Sequence, residues 1–268
     1  MKRFTFLFVM LNIAFVVSSN CQTKVTGWVL DSNGHGIEYA TICVDSVFCI
    51  SDADGHFNLQ LPQNASADMS VSHISFKTKL IPRSTFQQGE VSITLEERAY
   101  NLGSVDIVAK QAKLEKILGR GMKLPGDAAF GKEQQGNIEF GPVFTANNDY
   151  VVMSLDLKVE ECTYQQCVIR LIVYEVRGTT FEPVQPKPLY VALTPANENT
   201  HIKVKTQGNI SLKKGGIYYV GVSVVSGSNA GTLHFPAYLR SAYARNLIKG
   251  TYKKLPATLG IAIEGFRI

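Results

Sequence analysis

Two β-sandwich units joined by a short helical linker, an all-β architecture, are what the sequence predicts. Three observations predict it. Between Lys24 and Leu95, apolar and polar residues alternate in about seven short runs, and Gly, Asn, Asp or Pro interrupts them at intervals of about 8 to 12 residues. Beyond Gly136 the alternating runs return and lengthen. Between these regions lies one window, Lys110 to Lys123, with apolar residues at three- and four-residue spacing.

In the first unit, Lys24 to Leu30 reads as a strand running into Asp31-Ser32-Asn33-Gly34-His35-Gly36, a turn cluster whose glycines are free to take positive φ. Ile37 to Val44 and Val47 to Ser51 follow, and Asp52-Ala53-Asp54-Gly55 delivers the chain into His56 to Leu61. Pro62 to Ser66 is a loop. Met69 to Phe76, Lys77 to Ile81 and Val91 to Leu95 complete a set of strands and turns typical of an all-β sandwich.

Val25-Thr26-Gly27-Trp28-Val29, Asp31 with Gly34, Ile37 to Ile42, Ser51-Asp52-Ala53-Asp54-Gly55-His56-Phe57 and Val71 to Phe76 together resemble the carboxypeptidase-regulatory-like domain. The chain departs from that family's usual course at Ile37, where proline is common, and at Ser75, where glycine is common. The resemblance spans about Thr23 to Val108. It implies a seven-stranded transthyretin-like (prealbumin-like) sandwich of a kind common in exported proteins of Bacteroidetes-type bacteria. Leu95-Glu96-Glu97 and Asn101 to Val108 are similar to the extended segment that often follows this domain in outer-membrane TonB-dependent receptors.

In the linker, Ala112, Leu114, Ile117, Leu118 and Met122 give the helical stripe, and Leu124-Pro125-Gly126 is a stop signal. Lys110, Lys113, Lys116, Arg120 and Lys123 would give that helix a positive, solvated face. The second unit offers eight strand candidates: Ile138 to Phe144, Tyr150 to Val159, Val168 to Val176, Leu189 to Leu193, His201 to Thr206, Ile217 to Val225, Thr232 to Phe235 and Gly260 to Phe266. Period-two alternation puts Val151, Met153, Leu155, Leu157 and Val159 on one face. Such a set suits a jelly-roll-like β-sandwich. Gly136-Asn137-Ile138-Glu139 near the first strand, Arg170 to Val176, the polar turn Ile210-Ser211-Leu212-Lys213-Lys214-Gly215 and Ile217 to Val222 resemble C-terminal sandwich domains paired with the regulatory-like domain in secreted Bacteroidetes proteins. Pro236 to Pro256 reads as a long irregular connection. The boundaries are therefore a signal peptide at 1–21, a first sandwich at 22–109, a helical linker at 110–135 and a second sandwich at 136–268.

The export signal is Met1-Lys2-Arg3, an apolar run from Phe4 to Val17, and then Ser18-Ser19-Asn20-Cys21. Cleavage after Ser19 or Cys21 and lipid attachment at Cys21 both remain open, although Ser18 and Asn20 are poor matches to a lipoprotein signal. The formal charge is +5, of which Lys2 and Arg3 account for two. The remaining +3 is too dilute for a nucleic-acid footprint. In an exported chain Cys43 with Cys49 and Cys162 with Cys167 are candidate local disulfides, with buried free thiols as the competitor.

Asp52-x-Asp54-Gly55 begins like a calcium loop, but His56 and Gln63 occupy the positions where a further acceptor and a Glu belong, so a turn is favoured. The five histidines are scattered singly, without a zinc-protease or nucleophile-elbow motif. The expectation is a chain that is not an enzyme and has no cofactor. Aromatic and basic residues crowd the end of the chain, and Tyr238, Arg240, Tyr243, Arg245 and Tyr252 form the candidate ligand-binding set, a platform that would suit a glycan. Asp45-Ser46-Val47 resembles a short O-glycosylation site, with Ser46 as acceptor. The functional expectation is an exported interaction or scaffolding module at the cell envelope, with a carbohydrate-binding protein acting through the second sandwich and a hydrolase whose site is not visible in the sequence as the alternatives. Its partner would be an envelope protein or a glycan, and membrane association would follow only from lipidation at Cys21.

Overall fold

A computed structural model describes residues 23–99, 114–228 and 230–268, and the chain is almost entirely β. The leader with Cys21, the segment from Asn101 to Val108 and residues 110–113 lie outside the described residues.

The first seven strands are β1 (Thr23–Leu30), β2 (Thr41–Val44), β3 (Val47–Ile50), β4 (His56–Leu61), β5 (Met69–Ser72), β6 (Lys79–Ile81) and β7 (Glu90–Thr94), with one helical turn, α1 (Arg83–Phe86), before β7. They form a three-stranded sheet, β4-β1-β7, and a four-stranded sheet, β3-β2-β5-β6. β1 runs antiparallel to β4 and parallel to β7. Alternation decides what fills the space between the sheets: Val25 and Val29, Ile42 and Val44, Phe57, Leu59 and Leu61, Met69 and Val71, and Val91 and Ile93 share one buried core.

Two turns of the same design hold this unit. Asp31 Oδ1 accepts from the N–H groups of Asn33 and His35, each at 2.8 Å. Asp52 Oδ1 accepts from Asp54 (3.1 Å) and His56 (2.8 Å) in the same way. In both, the backbone closes between the Asp N–H and the His carbonyl, and the glycine before the histidine sits at positive φ, 84° at Gly34 and 76° at Gly55. The carboxylate of Asp52 thus caps its own turn. Ser46, at the tip of the β2–β3 hairpin, is exposed.

The remaining strands are β8 (Leu114–Leu118), β9 (Met122–Phe130), β10 (Ile138–Thr145), β11 (Tyr150–Lys158), β12 (Glu161–Cys162), β13 (Cys167–Arg177), β14 (Thr180–Pro183), β15 (Leu189–Leu193), β16 (His201–Leu212), β17 (Ile217–Gly227), β18 (Leu233–Asn246), β19 (Thr251–Leu259) and β20 (Ile261–Arg267). One sheet has four strands in the order β16-β11-β20-β8, and the other has nine, with β12-β18-β10-β17-β13-β14 as its main path. A second core fills the space between them, drawing on Leu155 and Leu157, Ile169, Leu171 and Val173, Val220, Val222 and Val224, Phe235, and Ile261 and Ile263.

Four expectations are corrected. The window read as a helix is extended wherever it is described: β8 pairs with β20 and β9 with β18. Leu114-Glu115-Lys116-Ile117-Leu118 satisfies either period, and pairing to a sheet edge wins. Pro125-Gly126 then falls at a bulge in edge strand β9, where a missing N–H costs little. Of the expected basic face, Lys110 and Lys113 lie outside the described residues, Lys116 is exposed, Arg120 pairs with Asp156 and Lys123 with Glu160. In β11 a bulge between Val152 and Ser154 resets the alternation, so Leu155, Leu157 and Val159 of the expected face reach the core together with Val152, while Val151 and Met153 do not join it. The stretch from Pro236 to Pro256 is two paired strands, β18 and β19, not an irregular connection.

The fourth correction concerns the cysteines, all four of which are free thiols. Ile42 stands opposite Cys49 in the β2–β3 hairpin, so Cys43, one residue on, points from the other face and no bridge forms. Cys162 and Cys167 are both buried and unbridged; the Cys162 thiol donates to the Tyr164 carbonyl, and burial, with Cys162 as the next cause, pushes the Cys167 thiol up to about 12.

Candidate functional site

The outer face of the nine-stranded sheet is where charge and aromatic rings converge. On β13, alternation sends Ile169, Leu171 and Val173 into the sandwich and leaves Arg170, Ile172, Tyr174 and Val176 on the opposite side. The same parity puts Tyr219, Gly221 and Ser223 of β17 and Glu139, Gly141 and Val143 of β10 on that outer face. Register aligns the side chains in a row across the strands. Tyr252 stands opposite Arg245, Arg245 opposite Glu139, Ser223 opposite Arg170, and Arg170 opposite Tyr190. The pairing of Phe140 with Val222 brings Glu139 beside Ser223 and closes the row.

Glu139 is completely buried in this row. Gly221 makes room for it, because a Cβ at that position would lie 2.2 Å from the Glu139 Cδ. One carboxylate oxygen accepts from Arg245 Nη1 at 2.7 Å, and the other accepts from the Tyr174 hydroxyl at 2.9 Å. The Arg245 guanidinium lies 4.0 Å from the Phe181 ring centre and 4.7 Å from that of Tyr174. Tyr174 and Tyr219 stack with ring centres 5.8 Å apart, while Phe181, Tyr243 and Tyr252 close around them edge to face. Burial first and the Glu139 carboxylate second push both the Tyr174 and Tyr219 hydroxyls far above the usual phenol range. These tyrosines therefore stay protonated.

The first unit is set down on this face. His73 Nε2 lies 3.3 Å from the Tyr190 hydroxyl, and the Tyr39 and Tyr190 rings meet at 4.7 Å. Tyr39 is held at φ 61°, a region that a non-glycine residue occupies only when its surroundings hold it there. Burial, and then the neighbouring Arg170, pushes the His73 imidazole down to about 4. It is therefore neutral at neutral pH.

Crevices run along the junction. One of about 510 Å3 lies between Asp52 and Tyr39 on one side and Lys132 and Val225 on the other. A second, about 440 Å3, runs past Glu38, Phe76 and Tyr190. A third, about 260 Å3, opens directly over the charged row and is walled by Ser70, Ser72, His73 and Arg98 of the first unit and by Arg170, Tyr174, Phe181 and Arg245 of the second. In that region the Arg170 Nε, Ser223 Oγ and Tyr219 hydroxyl are buried with no hydrogen-bond partner among the described residues.

Of the expected ligand set, Tyr243, Arg245 and Tyr252 come together here. Tyr238 and Arg240 lie apart, further back along β18, with the Tyr238 ring against Gly260 and the Arg240 Nε near Gly121. Tyr243 is buried and its ring is engaged by its neighbours, so the aromatic residues form a packed cluster and not an open stacking platform. Glu139, Arg170, Tyr174, Phe181, His73 and Arg98 were not foreseen. Their one legible signal is a charge embedded in an apolar strand, as in Ile138-Glu139-Phe140 and Ile169-Arg170-Leu171. Among the described residues no group of three His, Cys, Asp or Glu side chains is placed to hold a metal ion. No family model matches the chain, and no curated protein is detectably similar to it.

Proposed function

We propose that this chain is an exported, non-catalytic interaction module of the cell envelope that holds its partner in the cleft between its two β units. In this reading the first unit is a transthyretin-like domain of the carboxypeptidase-regulatory-like kind and the second is a jelly-roll-like sandwich. The leader from Met1 to Cys21 delivers the chain across the membrane. The observation that carries the proposal is the composite cleft of about 260 Å3, whose walls come from both units and which bears arginines, hydroxyls and an aromatic floor. Binding sites favour junctions of this type because two separately folded bodies leave a concave seam whose polar groups neither body satisfies alone. Tyr190, 36% exposed, lines the adjoining crevice of about 440 Å3, and His73, which it touches, lines both that crevice and the cleft.

The test uses the full chain in an exporting bacterial host, with a photo-crosslinking amino acid at Tyr190 or, as a control, at Ile217, which is exposed outside the cleft. The expected result is an adduct in the envelope fraction from the Tyr190 position alone. A chain retained in the cytoplasm, or equal labelling from both positions, refutes the reading.

A further inference from the structure

An arginine does not shed its proton in a protein, so a buried guanidinium needs a counter-charge or a full set of acceptors. Arg170 has neither among the described residues. It is 7% exposed, its Nε has no hydrogen-bond partner, and no carboxylate forms an ion pair with it. Its registered neighbours are Ser223 and Tyr190, both uncharged. Glu139 is committed elsewhere, with one oxygen on Arg245 and the other on Tyr174. Arg98 approaches the same cleft from the first unit, and among the described residues none that lines the cleft carries a carboxylate. The charge balance is therefore positive on both walls. The opposite wall adds the Thr41, Ser70, Ser72 and Thr78 side chains, whose hydroxyls are hydrogen-bond donors.

We propose that the cleft is an anion-binding subsite, in which Arg170 from the second unit and Arg98 from the first receive one carboxylate or phosphate group. The proposal rests on the reading of the cleft as the binding site and names the chemistry that the site selects. Guanidinium groups suit this task because their donors form a planar fork that matches two oxygens of an oxyanion. Ser223 Oγ, also buried and without a partner among the described residues, stands opposite Arg170 on the neighbouring strand. At about 260 Å3 the cleft is just under the usual range of small-molecule pockets, about 300 to 1,000 Å3. It suits a compact group, such as one acidic sugar ring or a phosphomonoester, better than an extended chain. His73, on the cleft wall, is neutral at neutral pH, so the positive charge facing the cleft comes from the arginines.

The test measures thermal shift and the rate of Cys43 alkylation in the full chain. Cys43 is half-buried and lines the same cleft. The probes are inorganic phosphate, glucuronate, glucose and chloride at matched ionic strength. Wild-type protein and Lys24→Gln, which removes an exposed charge outside the cleft, are expected to respond to phosphate, glucuronate or both, and not to glucose or chloride. Arg170→Gln is expected to weaken the response at least about tenfold. A response to phosphate alone assigns a phosphate group, and one to glucuronate alone assigns a carboxylate; either supports the proposal. Equal responses in Arg170→Gln and Lys24→Gln overturn it, as does a wild-type protein that responds to neither anion beyond chloride. Should Arg170→Gln fail to fold, protection of Cys43 by the anion in wild-type protein decides the matter. Crosslinking at Tyr190 without an anion response overturns the subsite alone, whereas an anion response without crosslinking overturns the envelope-interaction reading alone.

Discussion

Removing the Glu139 carboxylate tests the centre of the site most directly. Glu139 is fully buried and satisfies two groups at once, the Arg245 guanidinium at 2.7 Å and the Tyr174 hydroxyl at 2.9 Å. Glu139→Ala strands the Arg245 charge in a largely covered position, its side chain 19% exposed, and leaves a hole over Gly221. Breaking one partner of a buried ion pair costs about 3 to 5 kcal/mol. For a chain of this size each kcal/mol is worth about 2 to 4 °C in Tm, so a fall of about 6 to 20 °C is expected. Arg245→Met leaves the carboxylate unpaired and should cost a similar amount. The double variant Glu139→Leu with Arg245→Met removes both charges, and its cost should fall well short of the sum. Thermal unfolding followed by circular dichroism, with urea midpoints as a second measure, reads all of these. A loss below about 1 kcal/mol in Glu139→Ala, or strict additivity in the double variant, would refute the claim that this pair is a coupled, buried unit.

The other predictions concern the junction, the turn and the thiols. His73 is held at about 4 against an ordinary value of 6.5, so between these values the unfolded chain binds a proton that the folded chain does not. Stability should therefore fall as pH drops from about 6.5 to 4, by at most about 3 kcal/mol from this group, and urea midpoints at pH 7 and 5 should show a smaller drop in His73→Asn. Gly221→Ala drives a methyl into a carboxylate that two hydrogen bonds hold in place, with an expected cost of about 1 to 3 kcal/mol by chemical denaturation. Asp52→Ala removes the acceptor for two turn N–H groups and should cost about 1 kcal/mol, while added calcium should leave the wild-type Tm unchanged. Mild oxidation should join Cys162 to Cys167 and leave Cys43 and Cys49 unjoined to each other, which peptide mapping of the oxidised protein would show.

The strands of the first unit were legible because each rests on local chemistry. An Asp that caps its own turn, followed by a glycine at positive φ, marks where the chain reverses, and alternation does the rest. Reading failed where two periods fit the same residues. Leu114 to Leu118 matches helix and strand alike, and only the partner strand β20, about 150 residues later, decides between them. The bulge in β11 was equally hidden, because a single inserted residue leaves no mark in the composition yet moves Val151 and Met153 off the core face. In β18 and β19, two prolines and many polar side chains masked a paired hairpin.

The site was harder to read for a different reason. Glu139 and Arg170 each occupy the polar phase of an alternating strand, where a charge ordinarily means contact with water. Their burial comes from outside the strand, from the rings of Tyr174, Phe181 and Tyr219 and from the first unit lying across the face. Once covered, the two charges no longer behave alike. Glu139 finds Arg245 one strand away, whereas Arg170, with Ser223 and Tyr190 as its neighbours, finds no acid among the described residues. The same docking that makes Glu139 part of the protein's packing leaves the Arg170 charge facing a small cavity. Tyr39 is strained where its ring meets Tyr190, and it marks the line along which the two units are pressed together. An anion entering the cleft would touch both walls, so its binding energy would also hold the two units closed on each other.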